Sequence, residues 1–464
     1  MTSVESTTLK KSEINSKELP PSDRKAIPEG TTVRLTAPPI SVDDEYLLVG
    51  LLEQIEAPSV PGNNDASTTP HWAVAGAPDE AKPLCGFEYA KGRTTTVVYR
   101  ATEEIGGYNH AAMIDYHDGN LFLTWKNGPR DEDSPAQRVL YAFSSDGANW
   151  TRTDGRNVLF PRATVPTLSE NEAEIAAKSV PRTLFAGPTV VLNGRRYASA
   201  SPHQFCLFPY PYSSNLTSEE DTNLLMLREV LGDSQGFGPM FWASTKVPAG
   251  FEAVSQQNGI LTSGQMDAHV QEDLTLLATR SHLPCDLANG TTKCEACLGT
   301  CGSTTKCERT HFDVPSSRGD VILERAGKTF RYSYRADTAS ASWSASGQTN
   351  IPDVGANLNA GTLPDGRVFL INNACPFSSA GGHRDPLVVS TSKDGFSFDT
   401  ARAVMSCEEL GGCRPRIPGK SKDTGPSYPQ GVVVSEPPEM AGLYVVATNN
   451  KEDVVVVKVP FDSL

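Results

Sequence analysis

The stretch SSDGANW at residues 144–150 has a near copy, SKDGFSF, at residues 392–398. In each copy the serine and aspartate side chains can bond the backbone of a tight turn, and the glycine takes the positive φ. The final aromatic residue pins the turn onto a sheet. Two strand-like runs precede each copy, and an Asp-Gly turn at residues 118–119 or 365–366 precedes those runs. The repeating unit is therefore a turn, two strands and a second, aromatic turn.

Weaker copies of this unit lie between the two strong ones. One begins at residues 193–195 and continues to Trp242, and another begins at residues 325–328 and continues to Trp343. Short β-branched and aromatic runs fill the remaining chain, separated by Gly, Asn, Asp and Pro turns, and helical periodicity is weak. A two-hairpin unit that recurs every ~45–50 residues is typical of a propeller blade. We predict an all-β fold, a seven-bladed β-propeller, with six blades as the alternative.

Composition sets the limits of this domain. Residues 1–30 are polar and rich in Ser, Lys, Glu and Pro, which predicts a disordered N-terminal tail before a single propeller domain at residues 31–464. With 55 acidic and 41 basic residues the net charge is −14, and no stretch is rich in Lys and Arg. A nucleic-acid-binding surface needs a basic face, so we exclude that class of partner. No apolar run is long enough to span a membrane, and no signal-peptide-like segment is visible.

Ten cysteines indicate an oxidising environment. Five of them lie in a cysteine-rich loop insert at about residues 281–311, and Cys407 and Cys413 form a second close pair. Zinc is the alternative for the first group, although its spacing is irregular. The cluster and the three glycosylation sequons are Cys285, Cys294, Cys297, Cys301, Cys307, Asn149, Asn215 and Asn289. We predict a secreted, disulfide-bonded glycoprotein.

The aromatic turns are identified as the Asp-box of sialidase-like propellers. A longer series of motifs resembles a family of seven-bladed propellers that act on rhamnose-capped glucuronate glycans. That family includes α-L-rhamnosidases and L-rhamnose-α-1,4-D-glucuronate lyases. The motifs are YNH at 108–110, WKNG at 125–128, EDSPAQR at 132–138, NAGTLPDG at 359–366, RDPL at 384–387, YP at 428–429 and NKED at 450–453. The resemblance covers roughly residues 95–460 and is weak in the middle third. The chain departs from the family at Ala111 and Ala112, where a second His or a Pro is frequent, and in the cysteine-rich insert.

The resemblance implies a secreted polysaccharide lyase that cleaves rhamnose-α-1,4-glucuronate caps of arabinogalactan-type glycans by β-elimination. Elimination requires a base for the C5 proton, a cation at the carboxylate and a proton for the leaving O4. A His or Tyr can carry the proton, and the guanidinium fork of Arg fits the carboxylate. The first alternative is an α-L-rhamnosidase or another exo-glycosidase, which would use two carboxylates. The second is a non-catalytic glycan-binding propeller.

The predicted catalytic residues are His110 as base and acid, with Arg138 and Arg335 as carboxylate clamps. Structural roles are the alternatives: His110 packs and bonds a neighbouring backbone, and Arg138 pairs with Glu132 or Asp133. The predicted substrate-binding residues are Tyr108, Asn109, Gln137, His203, His269, Asn359, Arg384, Tyr428 and Lys451.

Five of these substrate-binding residues also have structural alternatives. Gln137 would brace its loop, and His203 and His269 would be ordinary loop histidines. Arg384 would pair with Asp385, and Lys451 would sit at an exposed hairpin tip. No metal ligand set is predicted and no cofactor is required, with a structural calcium ion as the alternative. The expected partner is an oligosaccharide or polysaccharide bound by a monomer.

Overall fold

The computed structural model divides into two units, residues 1–66 and 67–464. In the first unit it describes only the antiparallel strands β1 (Val33–Leu35) and β2 (Leu52–Gln54). In the second it describes residues 68–464. The undescribed segments there are 133–136, 152–153, 163–182, 204–224, 248–251, 280–308, 316–318, 327, 337–343, 345 and 376–383. The predicted tail at residues 1–30 and the cysteine-rich insert thus lie outside the described residues, apart from the insert's last three positions.

Strands dominate the second unit. They are β3 (His71–Trp72), β4 (Thr94–Tyr99), β5 (Tyr108–His117), β6 (Asn120–Gly128), β7 (Arg138–Ser144), β8 (Val158–Phe160), β9 (Thr183–Leu192), β10 (Arg195–His203), β11 (Met226–Gly232), β12 (Gly236–Trp242), β13 (Leu261–Thr262), β14 (Arg309–Val314), β15 (Gly319–Glu324), β16 (Thr329–Arg335), β17 (Gly347–Pro352), β18 (Asn359–Thr362), β19 (Val368–Asn373), β20 (Leu387–Ser392), β21 (Ser397–Met405), β22 (Pro426–Val434), β23 (Gly442–Asn449) and β24 (Asp453–Val459). Among the described residues, two helices accompany them, α1 (Glu252–Asn258) and α2 (Ala268–Thr279), with 3₁₀ turns at Pro83–Gly86, Ser263–Gln265 and Phe461–Ser463. Neither α1 nor α2 is long and apolar enough to cross a membrane.

In the described part of the second unit these strands form five sheets. Three consist of consecutive strands, β5–β8, β9–β13 and β14–β17. The other two add an N-terminal strand at the outer edge: β3 joins β18–β21, and β4 joins β22–β24. The pairing is antiparallel except where β13 and β3 are added. The all-β prediction is confirmed, whereas closure of the sheets into a ring and the predicted count of seven blades are not.

The first strands of the sheets pack against one another, β9 against β5, β5 against β22, β22 against β18 and β18 against β14. Because neighbouring strands alternate in direction, each sheet has two distinct ends. We call the end where the first strand begins the mouth end; the connections from second to third strands lie there too. The opposite end, where third strands finish, is the Asp-box end.

The hydrophobic core lies within and between the sheets. Strands β23 and β24 are buried along almost their whole length, including the valine run 454–457. Such strands have apolar side chains on both faces because each sheet packs against a neighbour on either side. The indoles of Trp125 and Trp242 are also fully buried. Trp242 is therefore a core residue at the end of the first weak copy of the repeat, and Trp125 is a core residue of β6.

Both strong copies of the repeat form the predicted turn. The Asp146 carboxylate accepts bonds from the Ser144 hydroxyl and from the backbone N–H of Ala148 and Asn149. The Asn149 side chain also donates to this carboxylate. That bond has the largest effect, and together the bonds lower the pKa of Asp146 to about 2. Gly147 has φ +76°, and a Cβ there would lie 2.4 Å from the Tyr444 ring, so only glycine fits. Asp394 bonds the second turn in the same way.

One weak copy is out of step with the sheets. The copy at residues 193–195 is the turn between the first and second strands, β9 and β10, as the repeat requires. Arg325 and Lys328, in contrast, lie between β15 and β16, the second and third strands of their sheet. The turn that begins at Arg325 therefore lies at the mouth end. Its predicted partner Trp343 is outside the described residues.

Two disulfides, Cys85–Cys375 and Cys407–Cys413, occur in the described part of the chain. The second confirms the predicted close pair. The first joins the segment before β4 to the residue pair that follows β19. Cys375 and Cys407 are both fully buried, so each bridge is enclosed by the fold.

Candidate functional site

A β-bulge lies near the start of β5. His110 pairs with Lys126 and Met113 pairs with Thr124, so two residues of β5 lie opposite one residue of β6. Ala111, the first of those two, has φ +48°. A bulge of this kind re-aims the neighbouring side chains, and bulges are frequent beside active sites.

A matching bulge lies near the start of β22, the first strand of the adjacent sheet. Ser427 pairs with Thr448 and Gln430 pairs with Val446. The extra residue is Tyr428, with φ +57°. A bulky side chain rarely adopts this conformation, and such backbone strain is concentrated at functional sites. Two neighbouring first strands thus carry the same distortion at the same end.

The bulges bring His110 and Tyr428 together. Their ring centroids are 4.1 Å apart, and the imidazole Nδ1 lies 3.3 Å from the Thr448 hydroxyl. The centroid of the Tyr108 ring lies 6.0 Å from that of the imidazole. His110 is only 1% exposed, whereas Tyr428 is half-buried. Tyr428 is therefore the outer member of the pair.

Two guanidinium groups approach Tyr428 from different sheets. Arg325 Nη1 donates a hydrogen bond of 3.3 Å to the tyrosine hydroxyl. The guanidinium carbon of Arg384 lies 5.2 Å from the ring centroid, within cation–π range. Arg384 also donates to the Gly355 carbonyl at 3.3 Å. Positive charge at the hydroxyl stabilises negative charge on that oxygen.

A row of alternating charges extends from Arg384. Its Nη1 lies 2.8 Å from the Asp423 carboxylate, and Asp423 lies 2.6 Å from Lys451 Nζ. Lys451 Nζ also lies 2.7 Å from Glu132, which accepts a bond of 3.2 Å from the Tyr108 hydroxyl. Lys451 is 3% exposed, so the alternative of an exposed hairpin tip is wrong. The predicted pairing of Arg384 with Asp385 is also wrong, because Asp423 occupies that position.

Asp385 instead accepts the backbone N–H of Cys407 at 2.7 Å. Burial raises the pKa of this carboxyl from 3.8 to about 6, against the lowering effect of that N–H. A carboxyl whose folded pKa is raised stabilises the fold while it is protonated. That contribution is complete below about pH 4 and is lost as the pH rises through about 6.

Asp385→Asn is therefore expected to increase the free energy of unfolding at about pH 8 by about 2 kcal/mol, because the amide keeps the acceptor and removes the charge. Urea unfolding of both proteins at about pH 4 and about pH 8 measures the difference. We expect a gap at the higher pH that closes at the lower. Parallel pH curves for the two proteins would contradict the assignment.

Two predicted residues, Asn109 and Arg138, form part of the frame around the site. Asn109 is buried and donates to the Glu452 carbonyl, while its oxygen accepts from Trp125 and Asn127. The Arg138 guanidinium donates to the Asn127 oxygen at 2.8 Å and to a loop carbonyl. Burial lowers the pKa of Arg138. Of its two alternative partners, Glu132 pairs with Lys451 instead, and Asp133 lies outside the described residues.

Gln137, Asn359 and His203 also lie at the mouth end. Gln137 braces a loop by donating to the Asp131 carbonyl at 3.3 Å. Asn359 joins β18 to β22, since it donates to the Gln430 side chain at 3.0 Å and accepts from a backbone N–H of β22. His203 is the last residue of β10, and its side chain is outside the described residues.

Arg335 and His269 do not join this cluster. Arg335 ends β16 at the Asp-box end and pairs there with Asp320. His269 is exposed in α2, 3.9 Å from Glu229. Arg335 would lie at the mouth end if the repeat copy at Arg325 were the first turn of its sheet, but that copy is the second turn. The strand that follows this copy runs away from the mouth.

Three residues of the cluster were missed. Arg325 occupies the turn that the repeat misassigned, and Asp423 lies in a segment with no motif. Lys126 is fully buried opposite His110, with Nζ 5.4 Å from the Tyr108 ring centroid. The sequence signal for Lys126 is its place in the strand that follows the YNH motif, where an apolar residue would be usual.

Two groups of side chains in the described residues have metal-ligand types within reach of one another. In one, Asp385 lies near the cysteines of the 407–413 disulfide, whose sulfur atoms are bonded to each other. In the other, His311 and Asp313 lie near Asp320, which already pairs with Arg335. We assign neither as a metal site.

Two family models match parts of the chain. The BNR repeat-like domain matches residues 302–440, and a BT_1020-like, N-terminal beta propeller matches residues 93–183. Among solved structures, a sialidase aligns with a TM-score of 0.62 at 18% identity over 85% of this chain. The chain has a sialidase-like propeller fold. It spans 35% of the length of that sialidase.

Other structures align less closely with this sialidase-like chain. A mutant of Trypanosoma rangeli sialidase displaying trans-sialidase activity has a TM-score of 0.42 at 11% identity, covering 82% of this chain and 60% of that one. An α-L-arabinofuranosidase from Podospora anserina, in complex with cellotriose, has a TM-score of 0.34 at 10% identity, covering 79% and 96%. No curated protein matches the sequence. The comparisons bear out the sialidase-like part of the predicted resemblance and give no support to the lyase or rhamnosidase subfamily.

Proposed function

We propose that the chain is a secreted carbohydrate-active enzyme that cleaves a uronate-containing glycan by β-elimination. The observation that carries this proposal is the contact between Tyr428 and His110 beneath two guanidinium groups, at the end of the sheets where two strained bulges meet. The sialidase-like fold supports the broader class, since the similar structures are named as glycosidases. The two disulfides support secretion.

The arrangement provides what elimination requires. Arg325 and Arg384 would bind the uronate carboxylate and stabilise the charge that develops when C5 loses its proton. We assign the proton transfers to the His110–Tyr428 pair, with the Tyr428 oxygen as the atom that meets the substrate. The C5–H bond breaks, a C4–C5 double bond forms, the C4–O4 bond breaks and O4 takes the proton. The products are a free sugar and an unsaturated uronate.

The proposed substrate is the rhamnose-α-1,4-glucuronate cap of arabinogalactan-type glycans. Four motif segments that are distant in sequence, at residues 108–110, 384–387, 428–429 and 450–453, meet at one place in the fold. That convergence supports the family resemblance from which the substrate and the seven-bladed architecture derive. We propose that a monomer acts without a cofactor.

Incubation with gum arabic tests the proposal, with ultraviolet absorbance reporting the unsaturated uronate and a separate assay reporting free rhamnose. We expect both signals in equal amounts. Rhamnose without absorbance would indicate hydrolysis. If neither appears, the substrate assignment is wrong, and binding of gum arabic without product would favour the non-catalytic alternative. His110→Ala should abolish product and leave that binding intact.

Hydrolysis is the second candidate because two carboxylates flank Lys451. Glu132 and Asp423 each lie within 2.7 Å of its Nζ. A glycosidase needs one carboxylic acid that donates a proton to the leaving oxygen. Both of these carboxylates are ion-paired to the same ammonium group, which does not suit that role. Elimination therefore agrees better with the observed pairing.

A further inference from the structure

The segment between β21 and β22, residues 406–425, crosses the mouth end without regular secondary structure, and we call it the mouth segment. It contacts the loop that follows β6, where the Lys420 N–H donates to the Asp131 carboxylate at 2.6 Å. The Glu132 N–H in turn donates to the Lys420 carbonyl at 3.2 Å. The segment also supplies Asp423 to the row of charges. Its position therefore decides where that carboxylate lies.

One side chain holds two distant points of the mouth segment. The Asn450 amide donates to the Gly412 carbonyl at 2.9 Å and to the Arg414 carbonyl at 3.1 Å. Its oxygen accepts the Gly425 N–H at 2.8 Å, and its own N–H donates back to the Gly425 carbonyl at 3.0 Å. Asn450 is 4% exposed and has φ +56°, a conformation that asparagine tolerates. A single amide thus satisfies three backbone groups from two distant points of the segment.

Asn450 is linked to the site through very few bonds. Gly425, which it holds, is two residues after Asp423, and Asp423 pairs with Arg384 at 2.8 Å. Lys451, the other partner of Asp423, is the next residue after Asn450. The Arg384 N–H donates to the Thr424 carbonyl at 2.8 Å, so the backbone beside Asp423 stays near Arg384. A shift of the Gly425 end would therefore move the Asp423 carboxylate relative to both cations.

We propose that Asn450 is a positioning residue that holds the mouth segment so that Asp423 orients Arg384 against Tyr428. Asn450 acts through Asp423 and touches neither the proposed substrate nor the reacting atoms. The part of this proposal that concerns substrate affinity rests on the proposed function. The part that concerns the placement of Arg384 does not.

The middle of the mouth segment has a separate anchor. Lys422 Nζ donates to the Glu452 carboxylate at 2.8 Å and to the Ile417 carbonyl at 2.8 Å. The Ile417 N–H donates to the same carboxylate at 2.7 Å. Because this anchor persists when Asn450 is changed, the segment should stay attached while its ends loosen. A variant at Asn450 is therefore expected to fold.

The test variant is Asn450→Asp. It keeps an oxygen that accepts the Gly425 N–H, but it replaces the NH₂ group that donates to the Gly412 and Arg414 carbonyls with a second oxygen. The matched control is Asn193→Asp. Asn193 has φ +48° in another turn, and its amide donates to the Asp273 carboxylate at 2.7 Å, at the Asp-box end. In both variants, an asparagine whose backbone is in the left-handed conformation loses hydrogen bonds donated by its side-chain amide. Only the first is expected to affect Arg384.

Phenylglyoxal labelling of Arg384, followed by peptide mass spectrometry, reads out this position without any substrate. Arg384 is buried and ion-paired in the wild type, so it should react slowly. We expect Asn450→Asp and Asp423→Asn each to raise the labelling rate about tenfold, and Asn193→Asp to leave it unchanged. The double variant of Asn450 and Asp423 should add nothing further. An unchanged rate in Asn450→Asp, or additive effects in the double variant, would overturn the proposal.

Kinetics on gum arabic give the second readout. We expect Asn450→Asp to raise KM about tenfold with a smaller change in kcat, since Arg384 binds the carboxylate. A fall in kcat alone would contradict this assignment. If the wild type cleaves no gum arabic, the proposed function fails, and the labelling result still decides whether Asn450 positions Arg384.

Discussion

Tyr428→Phe is expected to lower kcat for rhamnose release from gum arabic about 10³-fold, with KM nearly unchanged. The substitution removes one oxygen, the atom that we assign to proton transfer beside Arg325. The ring itself remains, and with it the contacts to His110 and Arg384. Steady-state kinetics with the uronate absorbance as the signal would measure the change.

Tyr444→Phe is the matched control for this variant. Tyr444 is fully buried in β23 near the Asp-box end, where its hydroxyl contacts the Met440 sulfur at 3.5 Å. Removing that hydroxyl should leave kcat within about twofold of the wild type. A loss below about tenfold in Tyr428→Phe would show that this hydroxyl is not the proton carrier, and His110 would then be the remaining candidate.

Arg325→Ala is expected to reduce kcat/KM about 10²–10³-fold, because it removes the positive charge next to the uronate carboxylate and the Tyr428 oxygen. Arg325→Lys should recover only part of the activity, since an ammonium group cannot form the bidentate contact of a guanidinium. Initial rates at low substrate concentration would measure both variants.

Arg335→Ala separates this expectation from a general effect of losing an arginine. Arg335 has the same chemistry and an acidic partner, Asp320, but it lies at the opposite end of its sheet. Its loss should change stability and leave kcat/KM intact. Equal losses of activity in the Arg325 and Arg335 variants would exclude Arg325 as a specific carboxylate ligand.

The turn chemistry made the fold predictable. In each Asp-box the aspartate bonds backbone groups within three residues, so the whole turn is encoded by local sequence. The strand-and-turn alternation then predicted an all-β chain. The number of sheets was not predictable in the same way, because β3 and β4 join sheets formed by strands near the other end of the chain. Nothing local in those two strands specifies their distant partners.

Motif order predicted the residues of the site that lie on strands or directly beside them, such as His110, Tyr428 and Lys451. It did not predict Arg325. The sequence around Arg325 resembles the turn between the first and second strands of a blade, but in the structure it connects the second and third strands. For the same reason the strand that follows Arg325 runs toward the Asp-box end, and Arg335 lies there and not at the mouth end. Asp423 was missed for a different reason: the segment carrying it is fixed by Asn450 and Glu452, and bonds of that range leave no sequence pattern.

Strand β24 lies between β23 and β4, so the sheet that carries Tyr428 contains strands from the two ends of the second unit. During synthesis β4 leaves the ribosome early and must wait for residues 453–459 before its inner edge can pair. Pairing over so large a separation raises contact order and slows folding. Until then an unpaired edge is open to association with other chains. A chain shortened before β24 would keep two such edges permanently, and we expect it to aggregate even though every residue of the site is present.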